Sequence, residues 1–231
     1  LGDLRHERGG FFSARDADSE GEEGRYYLWS IDEARAALEP LGEETTRAAI
    51  DWFGITPEGN FEGRTILHRR ERGRLIRSAP IEQARRRLLE VRAQRIPPGL
   101  DDKVLTEWNA LMLATLAEAA GATGEQAWLD AAVTAAEFLL AELRDADGRW
   151  RRSWQEEGGA RHLAFAADHA ALLDAFIRLA EATGQARWIH EATAVASTLV
   201  ERFWDDRHGG VFTTGDDADP LVTRPKDLLD N

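Results

Sequence analysis

Ala122-Thr123-Gly124 and Trp128-Leu129 recur 60 residues later in the chain as Ala182-Thr183-Gly184 and Trp188-Ile189. The match needs no gap across a whole helix pair, which chance rarely produces. Further residues related by the same shift are Ala132 and Ala192, Leu139-Leu140 and Leu199-Val200, and Asp145 and Asp205. Repeats of this length indicate structural units that bury their apolar faces only by stacking on each other. The repeat therefore decides the fold class.

The repeated residues lie in long, alanine-rich stretches with the apolar spacing of amphipathic helices. We predict helices at 102–121, 126–144, 167–183 and 187–204. The connections Gly121–Gly124 and Gly184-Gln185 are short enough to force antiparallel neighbours. The sequence thus predicts an all-α fold, a partial α/α toroid of repeated antiparallel helix hairpins with small β-hairpin insertions. In this arrangement Trp128 and Trp188 pack within the outer helix ring.

The first hundred residues are less regular, and we treat 1–99 and 100–231 as two parts of one partial toroid domain. Ser30 followed three residues later by Glu33 forms a capping box that starts a helix. The predicted elements are a β-hairpin or two short strands within 9–29, helices at Ser30–Glu39, Glu43–Phe53 and Pro80–Arg95, short strands at Thr65–His68 and Arg74–Arg77, and a linker at Ile96–Gly99.

The composition is globular and offers no thiol chemistry. Without cysteines the chain has no disulfides and no Cys-ligated zinc, which suits a reducing compartment, so we expect a cytoplasmic protein. No apolar run approaches the roughly 18 to 20 residues that span a bilayer, so no membrane partner is expected. The only methionine is Met112, and we interpret the chain as a fragment of a longer protein. Exposed apolar faces at the fragment ends would favour self-association.

The charge of the chain argues against a nucleic-acid partner. The formal net charge is −13, whereas polynucleotide-binding surfaces are basic. The positive charge is concentrated at 64–95, which holds eleven arginines and three glutamates. We expect this arginine-rich segment to pack against the protein's own acidic residues.

An acidic loop at Asp16–Gly24 crowds five carboxylates into nine residues. The loop begins like a calcium-binding loop but places Tyr27 where a bidentate glutamate is needed. Three interpretations stay open: a metal site, a solvated loop, and a functional carboxylate cluster containing Asp16 and Asp18. Paired carboxylates suit acid–base chemistry because like charges held close separate their proton affinities.

The segment Asp101–Asn109 opens the first of the repeated helices. Asp102 is either its N-cap or a functional carboxylate. Lys103 is one of only two lysines in a chain that otherwise uses arginine. Trp108 and Asn109 follow one to two turns later, as a stacking surface and a two-way hydrogen-bonding group would.

The second repeated helix opens at Asp168, the 60-residue counterpart of Trp108. Asp168 is either a helix cap or a functional carboxylate on the same rim. Lys226 and Asp227, near the end of the chain, are either a charged loop end or ligand contacts. HExxH, GxSxG, P-loop and GxGxxG motifs are missing from the sequence, so no metal and no cofactor is implied.

Several segments together resemble one family. The most specific is Gly9–Gly24, and the others are Tyr27-Leu28-Trp29, Gly59–Gly63, Ile66-Leu67-His68, Asp101–Asn109 and Arg224–Asp227. The chain resembles thioredoxin domain-containing proteins of the YyaL and spermatogenesis-associated protein 20 type. The resemblance implies a toroid similar to six-hairpin glycosidases and sugar epimerases, with the thioredoxin-like domain lying outside this chain. Where relatives tend to have Asp-Asp-Tyr, this chain has Ala167-Asp168-His169.

The resemblance and the residues lead to two main hypotheses. In the first, inner-helix starts and loops on one rim form a carbohydrate site. Its carboxylates would be Asp16, Asp18, Asp102 and Asp168, and its ligand contacts Trp29, Lys103, Trp108, Asn109, Lys226 and Asp227. In the second, the toroid is a non-catalytic scaffold that serves the thioredoxin-like domain. A metal-dependent module built on Asp16–Glu23 is a third reading.

Overall fold

The computed structural model of the chain describes residues 2–69, 76–219 and 222–226. The helices are α1 (Ile31–Leu38), α2 (Glu43–Trp52), α3 (Ala79–Arg92), α4 (Thr106–Thr123), α5 (Gln126–Glu142), α6 (Ala166–Thr183) and α7 (Ala186–Phe203). The strands are β1 (Ala14–Arg15), β2 (Asp18–Ser19), β3 (Glu22–Glu23), β4 (Leu28–Trp29), β5 (Thr65–Ile66), β6 (Leu100–Asp101), β7 (Val104–Leu105), β8 (Arg151–Gln155) and β9 (Gly159–Leu163). The chain divides into a helical unit, Leu1–Ala14 with Asp101–Asn231, and a smaller unit, Arg15–Leu100.

Two antiparallel hairpins, α4 with α5 and α6 with α7, form most of the helical unit. Each hairpin turns at a glycine, Gly124 or Gly184, whose φ of 74° or 67° is left-handed. Only glycine adopts this conformation without steric cost, which explains why each helix ends there. The predicted helix repeat is confirmed.

Helices α4 and α6 pack side by side and begin at the same end of the unit, because the backbone N–H of Glu107 reaches the Asp168 carboxylate. Small residues allow the close approach, as Ala110, Ala117 and Ala175 are fully buried. Consecutive hairpins with neighbouring inner helices are the building plan of an α/α toroid. The all-α fold with small strand insertions is confirmed.

The predicted start of the first inner helix was four residues too early. Val104 and Leu105 form β7, which pairs with Trp154 and Ser153 of β8, so α4 begins at Thr106. Neither Asp101 nor Asp102 caps the helix as a result. The β8–β9 hairpin itself was not predicted, although a Gly158-Gly159 pair marks its turn.

The chain turns back on itself in the same way at three places in the helical unit. Isolated antiparallel bridges join Arg5 to Phe11, Arg144 to Trp150, and Trp204 to Val211. The last two lie about one repeat apart. Their aspartates also correspond, because Asp145 and Asp205 each accept hydrogen bonds from backbone N–H groups two to four residues later. The repeat therefore includes the turn as well as the helices.

The smaller unit packs α1, α2 and α3 around an apolar core that includes Leu38, Ile81 and Leu88. The predicted capping box is confirmed: the Glu33 N–H donates to Ser30 Oγ at 3.1 Å, and the Ser30 N–H donates to Glu33 Oε2 at 2.9 Å.

The expected hairpin within 9–29 differs from the structure. Its strands are β2 and β3, joined across a tight turn at Glu20-Gly21 where both residues have positive φ. Tyr26–Trp29 does not form the returning strand, because β4 pairs with β5 instead. Part of the expected strand at Thr65–His68 is β5. Of the expected strand at Arg74–Arg77, residues 74 and 75 lie outside the described residues, and Ile76 and Arg77 are not in a strand.

The described arginines of 64–95 contact groups of their own unit. The Glu82 carboxylate forms ion pairs with Arg77 Nε at 2.8 Å and with Arg85 Nη2 at 2.7 Å. Arg95 lies 4.2 Å from the Trp29 ring centroid and donates to the carbonyl oxygen of Leu28 at 2.7 Å. Arg77 and Arg85 therefore pair with a glutamate of the same segment, and Arg95 contacts Trp29 and Leu28.

Across the described ranges, no helix combines the length and apolar character needed to cross a membrane.

Trp188 and Trp128 give a matched test of the packing, because they are repeat equivalents with different burial. Trp188 is fully buried and stacks on Phe176 with 5.9 Å between ring centroids, whereas Trp128 is half-buried. Trp188→Ala should lower the free energy of unfolding by about 3 to 5 kcal/mol, and Trp128→Ala by less than about 2 kcal/mol. Urea denaturation followed by circular dichroism measures both. Equal losses would contradict the burial difference.

Candidate functional site

Asp168 joins the beginnings of the two inner helices. Its carboxylate is fully buried and accepts three hydrogen bonds. The donors are the N–H of Phe165 at 2.7 Å, the N–H of Glu107 at 3.1 Å, and Nη1 of Arg152 at 2.9 Å. The first caps α6 and the second lies in the opening turn of α4, where backbone N–H groups lack helical partners. One carboxylate therefore stabilises two helix starts.

Arg152 of β8 links this buried carboxylate to a second one. Its Nη1 lies 2.9 Å from Asp168 Oδ2 and 3.9 Å from Glu107 Oε2. The two carboxylate oxygens are therefore no farther apart than these two distances together. The guanidinium carbon also sits 4.5 Å from the Phe165 ring centroid, a cation–π contact that fixes its plane.

The two carboxylates have different environments. Burial raises the pKa of Asp168, while the N–H groups of Phe165 and Glu107 and the charge of Arg152 oppose the rise. With its hydrogen bonds used within the protein, Asp168 is a positioning group. The Glu107 side chain is 31% exposed and is the carboxylate of this pair that a ligand can reach.

Trp108 and Asn109 are neighbours in the first turn of α4, but their side chains have different environments. Trp108 is 52% exposed, and its role as a ligand contact stays a prediction. Asn109 is buried, and its side-chain amide exchanges hydrogen bonds with the backbone N–H and carbonyl of Phe11 at 2.7 and 2.9 Å. The amide therefore holds the N-terminal segment against α4, and the predicted substrate contact at Asn109 is replaced by a structural one.

Asp102 and Lys103 precede β7 and are both half-exposed. Gln155 of β8 donates from Nε2 to Asp102 Oδ1 at 2.8 Å, which orients that carboxylate. Lys103 Nζ lies 2.8 Å from the Asp101 carboxylate. This hydrogen bond is the main cause of the lowered pKa of Asp101. Because Gln155 contacts only Oδ1 of Asp102, Oδ2 of this carboxylate has no hydrogen-bond partner among the described residues.

A cavity of about 690 Å³ opens in the helical unit beside the start of α6. Its lining comes from β8, β9, the residues that lead into α6, and the segment 214–219. The lining residues are Arg151, Arg152, His162, Leu163, Ala164, Phe165, Thr214, Gly215, Asp217, Ala218 and Asp219. Arg152 belongs both to this cavity and to the contacts of Asp168 and Glu107, so the cavity adjoins the carboxylate pair.

His169 is fully buried behind the same helix start. Its Nδ1 lies 2.8 Å from the carbonyl oxygen of Phe165, an arrangement that makes Nδ1 the protonated nitrogen of the neutral ring. Nε2 has no hydrogen-bond partner among the described residues. Burial lowers the pKa of His169, with the charge of Arg149 acting in the same direction. The imidazole is therefore held neutral within the core.

Lys226 holds the end of the described chain in place. Its Nζ lies 2.6 Å from Asp205 Oδ2 and 2.5 Å from the carbonyl oxygen of Gly209. These contacts give Lys226 a structural role, and its predicted ligand role stays a prediction. The lysine hydrogen bond, aided by the N–H groups of Arg207 and His208, holds the pKa of Asp205 well below its usual range. Asp227 lies outside the described residues.

Asp16, Asp18 and Trp29 belong to the smaller unit. Asp16 and Asp18 are exposed, and Asp16 Oδ1 accepts a hydrogen bond from the Asp18 N–H at 3.3 Å. Trp29 is only 1% exposed and packs in the core, so its indole has no open face for a sugar. Burial assigns Trp29 a packing role. A common site of the two aspartates with Asp168 stays a prediction.

Metal binding by the acidic loop finds no geometric support in the described residues. Within residues 2–69, 76–219 and 222–226, no group of three His, Asp or Glu side chains is placed to hold an ion. In the acidic loop itself, Arg25 lies 3.1 Å from Glu20 and 2.9 Å from Glu22, so the protein's own arginine balances two of the charges.

Sequence reasoning missed Glu107, Arg152 and His162. Glu107 lies within the segment Asp101–Asn109, but the predicted site residues of that segment are Asp102, Lys103, Trp108 and Asn109. Arg152 and His162 lie on the hairpin that was not predicted. Its apolar residues, including Trp150 and Trp154, together with Gly158-Gly159, were the signal that could have revealed it.

The fold defines a class of helix-hairpin proteins, and comparisons with known proteins show which ones the chain is similar to. No family model matches the chain. It is 29% identical to human spermatogenesis-associated protein 20 over 255 residues, covering 90% of this chain and 32% of that protein. The mouse protein of the same name is 28% identical over 249 residues. An uncharacterized protein of Caenorhabditis elegans is 26% identical over 239 residues. The chain spans about a third of the length of these relatives.

Solved structures with a similar backbone are more distant. A cellobiose 2-epimerase from Spirochaeta thermophila matches 51% of this chain and 30% of its own with a TM-score of 0.45 and 23% identity. A GH76 α-mannanase from Bacteroides thetaiotaomicron matches 79% of this chain and 63% of its own with a TM-score of 0.45 and 12% identity. Similarity at this level carries no argument about activity.

Asp168→Asn tests the structural role of the buried carboxylate. The amide keeps the shape but leaves Arg152 without its charged partner, which should lower the free energy of unfolding by about 3 kcal/mol. Asp174→Asn is the control, because Asp174 on the same helix is exposed and, among the described residues, pairs only with Arg178. The control should lose less than about 1 kcal/mol. Chemical denaturation measures both, and a loss at Asp168 no larger than the control's would rule out its joining role.

Asp205 predicts how stability responds to acid. Because folding lowers its pKa, the ionised carboxylate stabilises the fold above the ordinary aspartate pKa of about 3.9, and this stabilisation is lost as the pH falls below that value. Asp205→Asn should therefore lower the melting temperature at pH 7 and lessen its decrease between pH 5 and pH 3. The exposed neighbour provides the control Asp206→Asn, which should follow the unsubstituted protein. A parallel decrease in both variants would contradict the assignment.

Proposed function

We propose that the helical unit binds a carbohydrate where α4 and α6 begin, and that Glu107 acts there as the general acid or base. The observation that carries the proposal is the placing of two unlike carboxylates, buried Asp168 and accessible Glu107, on one guanidinium beside a cavity. Asp102 is the further accessible carboxylate at the same helix start.

Carboxylates in unlike environments suit acid–base chemistry at a glycosidic or anomeric centre. Catalysis of this kind needs a carboxyl group that the substrate can reach. Asp168 is fully buried and makes its hydrogen bonds within the protein, whereas Glu107 is partly solvated and close to Arg152. The geometry supports Glu107 as the group that meets the substrate and Asp168 as the residue that positions Arg152 and the helix starts.

Trp108 supplies the second element of a carbohydrate site. Its exposed indole directly follows Glu107 on α4, and the flat apolar face of an indole matches the C–H face of a sugar ring. Its position next to a reachable carboxylate supports the proposal.

Binding without catalysis is the second candidate. It is favoured by the three hydrogen bonds that the Asp168 carboxylate accepts within the protein. Of the pair Asp168 and Glu107, only the Glu107 carboxylate is then within reach of a ligand. In this case the same surface would hold a ligand or chain segment for a thioredoxin-like domain, as the resemblance implies. The two candidates differ in whether bound sugar is converted.

The test compares binding and turnover in two variants. Neutral mono- and disaccharides are titrated calorimetrically, and their hydrolysis or epimerisation is followed by chromatography. Trp108→Ala should weaken binding about tenfold because the stacking face is lost. Glu107→Gln should retain binding and reduce turnover by a factor of about 100 to 10,000.

Leu111→Ala serves as the matched control. Leu111 is exposed one turn beyond Trp108 on the same helix, so its removal changes apolar surface without removing an aromatic face. If Trp108→Ala and Leu111→Ala bind sugars equally well, the site is not at this helix start. Binding without any turnover would instead favour the scaffold. Asp16→Asn tests the smaller unit, since weakened binding there would bring the acidic loop into the site.

A further inference from the structure

We infer that the cavity beside α6 recognises an anionic group on the sugar, either a carboxylate or a phosphate ester. The inference rests on the proposed carbohydrate function and names the class of sugar. It is carried by three basic residues that line the cavity, Arg151, Arg152 and His162.

The pairing of β8 and β9 brings two of these residues together. Arg151 pairs with Leu163 and Ser153 pairs with Arg161, which places Arg152 opposite His162. Directly opposed residues of an antiparallel pair share one face of the sheet. The register therefore brings the Arg152 and His162 positions next to each other on two strands that line the cavity. A ligand between them meets donors from two strands.

The backbone at His162 is in an unusual conformation for a residue with a side chain. Its φ of 56° is left-handed, although the residue lies inside a strand. Non-glycine residues in this region are strained, and such strain concentrates where a side chain must be aimed at a ligand. Among the described residues the His162 side chain has no hydrogen-bond or ion-pair partner, so no side-chain contact of this kind accounts for the strain.

The arginines keep donors free for a ligand. Arg152 uses Nη1 on Asp168, and Arg151 uses Nη2 on Asp145 at 2.7 Å. In the described part of the chain, neither residue makes a hydrogen bond through its remaining guanidinium nitrogens, and about a third of each side chain is exposed. Anchored arginines with spare N–H groups suit carboxylate and phosphate, because the guanidinium plane binds two oxygens at once.

Two carboxylates also line the cavity, and their charges must be counted. Asp217 is paired with Arg149, with Nε at 2.7 Å and Nη2 at 2.8 Å from its two oxygens, so its charge is balanced. Asp219 is exposed and keeps its charge. Asp168 and Asp145 each offset part of the arginine charge from behind. The arrangement therefore favours an anion through the directed N–H groups of Arg151 and Arg152 more than through net charge.

The experiment titrates four probes into the chain: D-glucuronate, D-glucose 6-phosphate, D-glucose and inorganic phosphate. One of the two anionic sugars should bind about tenfold more tightly than glucose, as expected for charge-assisted hydrogen bonds. The tighter one identifies the anionic group. His162→Ala and Arg151→Gln should each weaken that sugar about tenfold and leave glucose unchanged. Arg152→Gln should abolish the preference, with its fold checked by circular dichroism.

Arg178→Gln is the control for loss of one positive charge. Arg178 lies on α6 outside the cavity and pairs with Asp174 and Glu181, so the variant should bind like the unsubstituted chain. Equal affinity for glucose and the anionic sugars would overturn the inference while leaving the proposed function intact. Anion binding unaffected by His162→Ala and Arg151→Gln would place it elsewhere and also overturn the inference. If no sugar binds, both proposals fail.

Discussion

The buried carboxylate of Asp168 is the interaction on which the arrangement of the helical unit depends. Two inner helices that begin side by side bring together two sets of unpaired N–H groups and two positive helix ends. A single carboxylate between them satisfies donors of both and binds Arg152 as well. Because burying a charge is costly unless it is fully hydrogen-bonded, the site is held in one geometry. Glu107 and Trp108, one and two residues into α4, inherit that geometry.

Much of this fold could be predicted from periodicity alone. An apolar spacing of 3.6 residues, broken twice by glycine, specifies a helix pair, and its recurrence specifies stacking. Gly124 and Gly184 predict the helix ends reliably because a left-handed backbone conformation favours a residue without a Cβ atom. The start of α4 was less accessible, since Val104-Leu105 becomes a strand only through its partner Trp154-Ser153, fifty residues away. Pairing between distant segments leaves little trace in either one.

The candidate site shows the same division. Asp168 could be named from the sequence because it opens a repeated helix, but both interpretations, cap and functional group, were compatible with its position. The structure resolves its placement by contacts that no local pattern encodes, namely the N–H of Glu107 and the guanidinium of Arg152. Trp29 shows the converse. The carbohydrate hypothesis made Trp29 a ligand contact, whereas its burial against α1–α3 depends on the tertiary core. Residue type indicates what chemistry is available, and only packing decides whether it is reachable.

Arg152 connects the two parts of the proposed site. Its guanidinium has five N–H donors in a fixed plane, and Asp168 holds that plane from the buried side. Glu107 at 3.9 Å is close enough to feel the positive charge but too far for a hydrogen bond. An anion entering the cavity would draw on the same positive charge. In this arrangement the cavity and the accessible carboxylate of Glu107 share one arginine.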